Sequence, residues 1–522
     1  MHTNVKEAAK IMLTKEKIEE ILSKRIEELS SSELPHFLLL SDIKKAAERI
    51  VKAVRLKEKI TVVGDYDVDG VCSSAVMKLF FEKIGCDIDI VIPDRFEEGY
   101  GLSVKLLSKI DADLIITVDN GITSFEAVDL CNETGVDVII TDHHTPVTNE
   151  NSFKLPDAYA VINPKTSEDF PFKEICGAEV AWYLCAAIKN ELDAKIDLRE
   201  FTDILSLAIV ADVMPLTHMN RTIVNMGLKR LNKGLKPFSR ALKKFFNRNF
   251  GSEDIAFQIA PRLNAAGRMA HAITAFEFLT SNNDYEAFEL LMQLDKLNTL
   301  RKETEKETVE SIGEVSDNFI VVKGDFHEGV VGIVASRLVH KYKKPAIVLS
   351  RKGDVLKGSG RSLGNIDIFE LINECRDLLE GYGGHKMACG LSINIDNFEP
   401  FRQKINEKIS KYKKEDFFIK DHVLGELPFC EIDIDLIEIL KRFEPYGEGN
   451  PKPKFFTSAE ILNVHNIKDN HFKLILKQDD IILPGLIFKY DGTFHKTIAF
   501  KFSVNENDYY KDKVELLIEE IL

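Results

Sequence analysis

The chain has 522 residues, 44% of them hydrophobic and 29% charged, with a formal net charge of −15 at pH 7. That length accommodates about three or four domains with substantial cores, and the balance is that of an ordinary globular protein. No apolar run reaches 18 residues, MHTNVKEAAKIMLTKEK lacks the apolar core and cleavage site of a signal peptide, and the eight cysteines form no C-x-x-C pair, so a cytoplasmic protein with buried thiols and no structural zinc is expected.

After an N-terminal helical segment (1–45), the pattern alternates. ITVVG (60–64) reads as a strand, VCSSAVMKLFFEKIG (71–85) as a helix, IDIVIP (88–93) as a strand and SVKLLSKI (103–110) as a helix; DLIITVD (113–119), SFEAVDLCNET (124–134) and VDVIITD (136–142) repeat the theme. This spacing predicts parallel βαβ units in a doubly wound α/β sheet, in which ligands bind beyond the carboxyl ends of the strands. Asp65, Asp67 and Asp69 in GDYDVDG follow the first strand, Asp119 closes the third, and Asp142, with His143 and His144 in TDHHT, closes the fourth. Carboxylates crowded at strand ends repel one another unless a cation sits among them. An acidic turn is the alternative for GDYDVDG alone, because Asp and Gly both favour turns. Asp212 ends the apolar run LSLAIVADVMPL (205–216), where a lone Asp would serve as a helix cap. Together the acids and imidazoles form a donor set suited to Mn²⁺ or Mg²⁺.

Residues 213–252 contain no Asp or Glu but carry Arg221, Lys229, Arg230, Lys233, Lys236, Arg240, Lys243, Lys244 and Arg248. Phe238, Phe245, Phe246 and Phe250 are interleaved with them. A basic track with aromatic rings fits single-stranded nucleic acid, although the rings also fit the core face of an amphipathic helix. YEAFELLMQLDKLNTLRKETEKETVESIGEV (285–315) reads as a long connecting helix. In GYGGHKMACG (381–390) the glycines would let backbone N–H groups approach an anion beside His385 and Lys386, the alternative being a Gly-rich turn. FKLILKQ (472–478), IILPGLIFK (481–489) and VELLIEEIL (514–522) suggest a β-barrel of OB size.

GDYDVDG, VDNGI (118–122), TDHH and ADVMPL, in this order and spacing, resemble the four motifs of the DHH phosphoesterase family. IPDRFEEGYGL (92–102), IAPRLNAAGRM (259–269), GVVGIVASRL (329–338), GSGRS (358–362), GGHKMACG (383–390) and PYGEGNPKPKF (445–455) are similar, more narrowly, to its RecJ branch of single-strand-specific 5′→3′ DNA exonucleases. Beyond the helical segment (1–45), whose first 40 residues carry no firm resemblance, the similarity implies a DHH catalytic domain (46–280), a connecting helix (281–315), a DHH-associated α/β domain (316–412) and a C-terminal OB-fold (413–522). It implies two Mn²⁺ or Mg²⁺ ions, which about 3.5–4 Å apart can activate water, stabilise phosphoryl charge and assist the leaving oxygen. The implied ligands are Asp67, Asp69, Asp119 as the bridge, Asp142, His143 and Asp212. Asp65 would ligate or orient the water, and His144 would meet the scissile phosphate or leaving oxygen. Arg95, Arg268, Ser359 and Arg361 would hold a terminal 5′ phosphate, with Gly383, Gly384 and His385 beside them and Lys243 and Lys244 on the basic track, although any of the arginines could instead serve an internal salt bridge. The implied partners are single-stranded DNA, a single-strand-binding protein and a helicase, for a monomeric chain acting in repair and recombination. Two other classes remain open: a DHH phosphatase acting on short oligonucleotides or pyrophosphate, and a non-catalytic DNA-binding scaffold. ACG (388–390) and CGAEV (176–180) depart from the family's usual AAG and AGAGV.

Overall fold

The computed structural model describes residues 12–26, 29–30, 32–149, 152–418, 422–507 and 513–522. The first eleven residues of the expected N-terminal segment lie outside the described residues. The chain divides into two compact units. One comprises the described residues within Met1–Leu34, Pro215–Thr222 and Lys420–Leu522, the other Pro35–Met214 with Ile223–Ile419.

The larger unit contains two sheets. In the first, β1 (Ile60–Val63), β2 (Asp89–Val91), β3 (Leu114–Val118), β4 (Asp137–Thr141) and β7 (Ala160–Ile162) are all parallel, in the order β2-β1-β3-β4-β7. The intervening β5 (Val147–Asn149) and β6 (Ser152–Lys154) form a separate hairpin. β1, β3 and the Val138–Thr141 part of β4 are buried throughout, as a sheet covered on both faces requires. The helix Val68–Lys83 is apolar around most of its circumference and correspondingly buried. The strand order reverses between β1 and β3, and the crevice at such a reversal is where a doubly wound sheet leaves room for a ligand. GDYDVDG leaves β1 and Asp119 leaves β3, so these acids flank the crevice.

The second sheet runs β11-β12-β10-β9-β8, from β8 (Ile320–Gly324), β9 (Ala346–Lys352), β10 (Val355–Arg361), β11 (Gly381–His385) and β12 (Ala388–Asn394). Only β8 and β9 pair in parallel. GYGGHKMACG is therefore a tight hairpin, two strands joined by a turn at Lys386–Met387, with exposed β11 at the sheet edge. The connecting helix is Asp284–Ile312, 29 residues capped by Asn283, or about 43 Å at 1.5 Å per residue. Its buried face changes character along its length: Ala287, Leu290, Leu291 and Leu294 give way to Asn298, Arg301, Glu305 and Thr308.

In the smaller unit, β14 (Lys454–Lys468), β15 (His471–Gln478), β16 (Ile481–Ile487), β18 (Val514–Ile521) and β17 (Thr497–Glu506) close into a five-stranded barrel through the β14–β17 pairing. β13 (Val423–Glu426) adds to β14 in parallel. Closure leaves few unpaired backbone groups, the usual solution for a small all-β domain. The core joins Leu474, Leu476, Phe500, Phe502 and Leu516 to Leu13, Ile18 and Leu22 from the far end of the chain.

Candidate metal centre and anion pocket

Asp67 caps the helix Val68–Lys83, its Oδ1 accepting from the N–H groups of Asp69 (3.0 Å) and Gly70 (3.1 Å). Asp69 is held from the other side: the Gly177 N–H donates to its Oδ2 at 2.6 Å and the Ala178 N–H to its Oδ1 at 2.9 Å, both from the first turn of the helix Gly177–Glu191. A helix N-terminus stabilises a carboxylate in that position. The approach is so close that a Cβ on Gly177 would stand 2.5 Å from the Asp119 Cβ. Asp119 itself adopts φ +63, a left-handed conformation that Asp tolerates better than most residues.

His143 is the hub. Its Nε2 lies 3.2 Å from Asp119 Oδ1, 3.6 Å from Asp212 Oδ2 and 3.7 Å from Asp69 Oδ2. Three sets of donor atoms converge within 4.8 Å of one another: Asp119, His143 and His144; Asp69, His143 and Asp212; Asp65, Asp67 and Asp119. Asp119 and His143 each belong to two sets, so the residues present fit more than one cation position. The fit rests on chemistry as well as distance. Asp65 Oδ1, Asp119 Oδ1 and Asp212 Oδ2 are buried without any hydrogen-bond donor, an arrangement that costs free energy unless a cation completes it. Burial, followed by repulsion from neighbouring aspartates, pushes Asp65 and Asp119 well above the ordinary carboxylate range and Asp212 up to about 8. Burial holds the His143 imidazole below its ordinary value, the neutral form a metal ligand needs.

Asp142 stands apart from these sets. Its Oδ1 accepts from the N–H groups of His143 (2.7 Å) and His144 (3.0 Å) and lies 2.8 Å from His144 Nδ1, while its Oδ2 accepts from the Ile122 N–H at 2.9 Å. It is committed to orienting the two histidines rather than open to an ion. Against the cost of burial, its hydrogen bond to His144 lifts that imidazole to about 9. Tyr100, which the sequence reading missed, donates its hydroxyl to the Asp119 carbonyl at 3.0 Å and lies 3.3 Å from His144 Nδ1. The YGL tail of the IPDRFEEGYGL motif carried that signal.

Arg95, Arg268 and Arg361 make no salt bridge among the described residues. Arg95 lies over the Tyr66 ring at 4.9 Å, Arg268 Nη1 reaches the Gly329 carbonyl at 3.4 Å, and Arg361 Nη1 donates to Ser359 Oγ at 2.6 Å and the Gly360 carbonyl at 2.8 Å. Burial, then mutual repulsion led by Arg95, depresses Arg268 to about 10. Strand register organises the remaining candidates. Ser359 pairs with Gly390, which pairs with Gly383; Arg361 pairs with Ala388, which pairs with His385. Both rows share one face of the sheet, with glycines leaving space beside Ser359. Gly384 pairs with Cys389 on the opposite face, where its own Cβ would clash at 2.4 Å with the Ala388 carbonyl. A side chain is excluded at Gly384 by this packing.

Part of the basic run is paired with acids that lie outside it. Lys236 pairs with buried Asp203 (2.7 Å), Arg240 with Asp284 (2.6 Å) and Arg248 with Asp254 (2.5 Å), while Lys243 donates to the Asn232 carbonyl and Lys244 lies 4.2 Å over the Phe288 ring. Phe238 and Phe250 are buried. In the smaller unit, Arg221 donates to the carbonyls of Phe443 (3.0 Å) and Glu444 (2.6 Å). Acids outside the run thus partner Lys236, Arg240 and Arg248, and internal carbonyls take Lys243 and Arg221.

Residues 59–209 match the DHH family N-terminal domain, 316–411 the DHHA1 domain and 425–520 the RecJ OB domain. The single-stranded-DNA-specific exonuclease RecJ of Haemophilus influenzae is 32% identical over 90% of this chain and 88% of its own length. The chain belongs to the RecJ family. The RecJ of Bacillus subtilis is 37% identical over 84% of this chain, which spans 57% of that relative's length. The crystal structure of RecJ from Thermus thermophilus in complex with Mn²⁺ superposes with a TM-score of 0.82 at 29% identity, covering 92% of this chain and 72% of that one. As in the RecJ family model, the barrel is an OB-fold. Among the described residues no helix is long and apolar enough to cross a membrane.

Proposed function

We propose that this protein is a single-strand-specific DNA exonuclease that hydrolyses phosphodiesters from the 5′ end, using two Mn²⁺ or Mg²⁺ ions. The observation that carries this reading is a complementary pair of deficits: three orphaned carboxylate oxygens on Asp65, Asp119 and Asp212, and three guanidiniums, Arg95, Arg268 and Arg361, without a carboxylate partner. The first calls for cations and the second for an anion, and a strand with a terminal phosphate, bound with divalent ions, supplies both.

Asp65, Asp67, Asp69, Asp119, His143 and Asp212 would hold the ions, which supply charge to the phosphoryl oxygens and activate the attacking water. The Gly177 and Ala178 amides hold Asp69 in place and oppose the upward shift that burial imposes on it. Asp142 orients His144 and, in the metal-free protein, holds its imidazole above the ordinary range, which suits it to donate to the leaving oxygen. Ser359 and Arg361, with Arg95 and Arg268, take the 5′ phosphate, for which the guanidinium fork is well suited. The OB-fold adds a surface of the type that binds oligonucleotides. Repair and recombination intermediates with free 5′-ended strands are the substrates this reading implies.

Digestion of single strands labelled at either end, with Mn²⁺, Mg²⁺ or chelator, tests it. Release of the 5′ label first, only with metal and not from blunt duplex, is expected. Cutting of circular single strands as fast as linear ones overturns the terminal pocket.

A further inference from the structure

The connecting helix carries a buried polar stripe where an aliphatic one would suffice. Asn298 is 1% exposed, Arg301 9% and Glu305 6%. Glu305 is fully engaged, Oε2 accepting from Arg301 Nη1 at 2.9 Å and Oε1 from Arg337 Nε at 2.5 Å. Arg301 also donates from Nε to Asn298 Oδ1 at 3.2 Å. Its Nη2, however, makes no hydrogen bond among the described residues, and neither does Asn298 Nδ2. Neither atom is among the interior polar atoms sealed off without a partner, so each keeps a narrow opening to solvent. An ion pair serving stability alone would close its donors, because an idle buried donor costs free energy. Here every acceptor of the cluster is used while donors on Arg301 and Asn298 stay spare, which is the polarity of an anion site.

The field around it agrees. Arg268 feels the positive charge of Arg95, Arg361 and Arg301 together, opposed by Asp67 of the metal centre. Arg301 therefore adds to the positive charge around Arg268, one of the terminal-phosphate residues, while Ser359 and Arg361 lie on a different element. In that neighbourhood the contacting carboxylate is Glu305, set against Arg301 and Arg337.

We infer that Asn298 and Arg301 form a second phosphate subsite, which holds a backbone phosphodiester of the single strand next to the terminal pocket, with Glu305 fixing the reach of Arg301. The inference rests on the exonuclease reading and deepens it: the strand is gripped at two phosphates, so the spacing of the grips selects an extended backbone.

The test is a linkage scan. Binding of 5′-phosphorylated oligothymidylate to metal-chelated full-length protein is measured by fluorescence anisotropy, with strands carrying one neutral methylphosphonate at successive positions from the 5′ end. For wild type, one internal linkage near the terminus should cost about tenfold in affinity when neutralised, the loss of a charge-assisted contact. Arg301→Gln should bind the unmodified strand about tenfold more weakly and become indifferent to that linkage while staying sensitive to the 5′ phosphate. Asn298→Ala, which leaves the Arg301–Glu305–Arg337 pairs intact and guards against misfolding, should blunt sensitivity at the same linkage. Wild-type affinity and an unchanged linkage pattern in both variants overturn the subsite. Digestion of the unmodified strand by wild type with Mn²⁺ checks the underlying exonuclease reading separately.

Discussion

Replacing Asp119 by Asn should uncouple folding from metal binding. The Asp119 side chain is buried and its Oδ1 has no donor, while its donor atom lies within 4.8 Å of those of Asp65 and Asp67. Two unit charges at that separation repel by about 3 kcal/mol at an effective dielectric of 20. Partial protonation reduces this, and the amide brings a desolvation cost of its own, so a net gain of about 2 kcal/mol is expected for the metal-free variant. The sign depends on pH. A carboxyl whose folded pKa is raised binds more protons folded than unfolded, so its presence destabilises increasingly as pH rises from the unfolded value towards the folded one, which for Asp119 lies well above the ordinary carboxylate range. The gain should therefore be larger at pH 8 than at pH 6. Saturating Mn²⁺ should reverse the order, because an ion at a hundred times its Kd stabilises wild type by about 2.7 kcal/mol and the variant by much less. Differential scanning fluorimetry after chelation, with and without Mn²⁺, reads both effects. A metal-free variant less stable than wild type, with an undiminished Mn²⁺ increment, would refute the shared position of Asp119.

Gly177→Ala should abolish Mn²⁺ stabilisation while the protein stays folded, since the added methyl would displace Asp119; intact Mn²⁺ binding by calorimetry would contradict the packing argument. Asp142→Asn should return His144 from about 9 towards its ordinary value, seen in ¹³C-histidine NMR of metal-free protein, so that the stabilisation present below pH 6.5 and lost through about 9 disappears; an unmoved titration would break the pairing. Lys244→Gln, at an exposed lysine, should flatten the salt dependence of single-strand affinity by about 0.7, whereas Lys243→Gln, whose partner is internal, should leave it alone; equal slopes for both would place neither on the strand. Arg361→Ala should narrow the preference for 5′-phosphorylated over 5′-hydroxyl ends, measured as the ratio of cleavage rates, and a preserved ratio would remove Arg361 from the terminal pocket.

The catalytic half was legible because β-branched runs mark buried strands and a charge at the end of such a run needs a reason. Asp65, Asp119 and His143 could therefore be placed at one edge from the sequence alone, whereas Asp212 ends an apolar helix. What escaped depends on contacts distant in sequence. Asp142 looks like its neighbours until four donors are found on its oxygens. Lys236 and Arg240 look unpaired until Asp203 and Asp284 fold against them. GYGGHKMACG is too rich in glycine to signal strands, and only cross-strand register separates Gly383 from Gly384. The stripe Asn298–Arg301–Glu305 has helical periodicity but polar side chains, so an apolar pattern search passes over it.

The smaller unit draws on three stretches widely separated in the chain, and this bears on the order in which the protein can be made. Leu13, Ile18 and Leu22 are fully buried against a core whose first other members begin at Leu427. A ribosome adding about 5–20 residues per second needs roughly 20–80 seconds to cover that interval. During that time the helix Lys15–Ser23 has emerged with its apolar stripe bare, and Arg221 waits for carbonyls not yet synthesised. The intervening residues can meanwhile form their own cores, so nascent chains should remain chaperone clients through one end of the molecule long after the other has folded, and a truncation within β18 should expose apolar surface at the N-terminus.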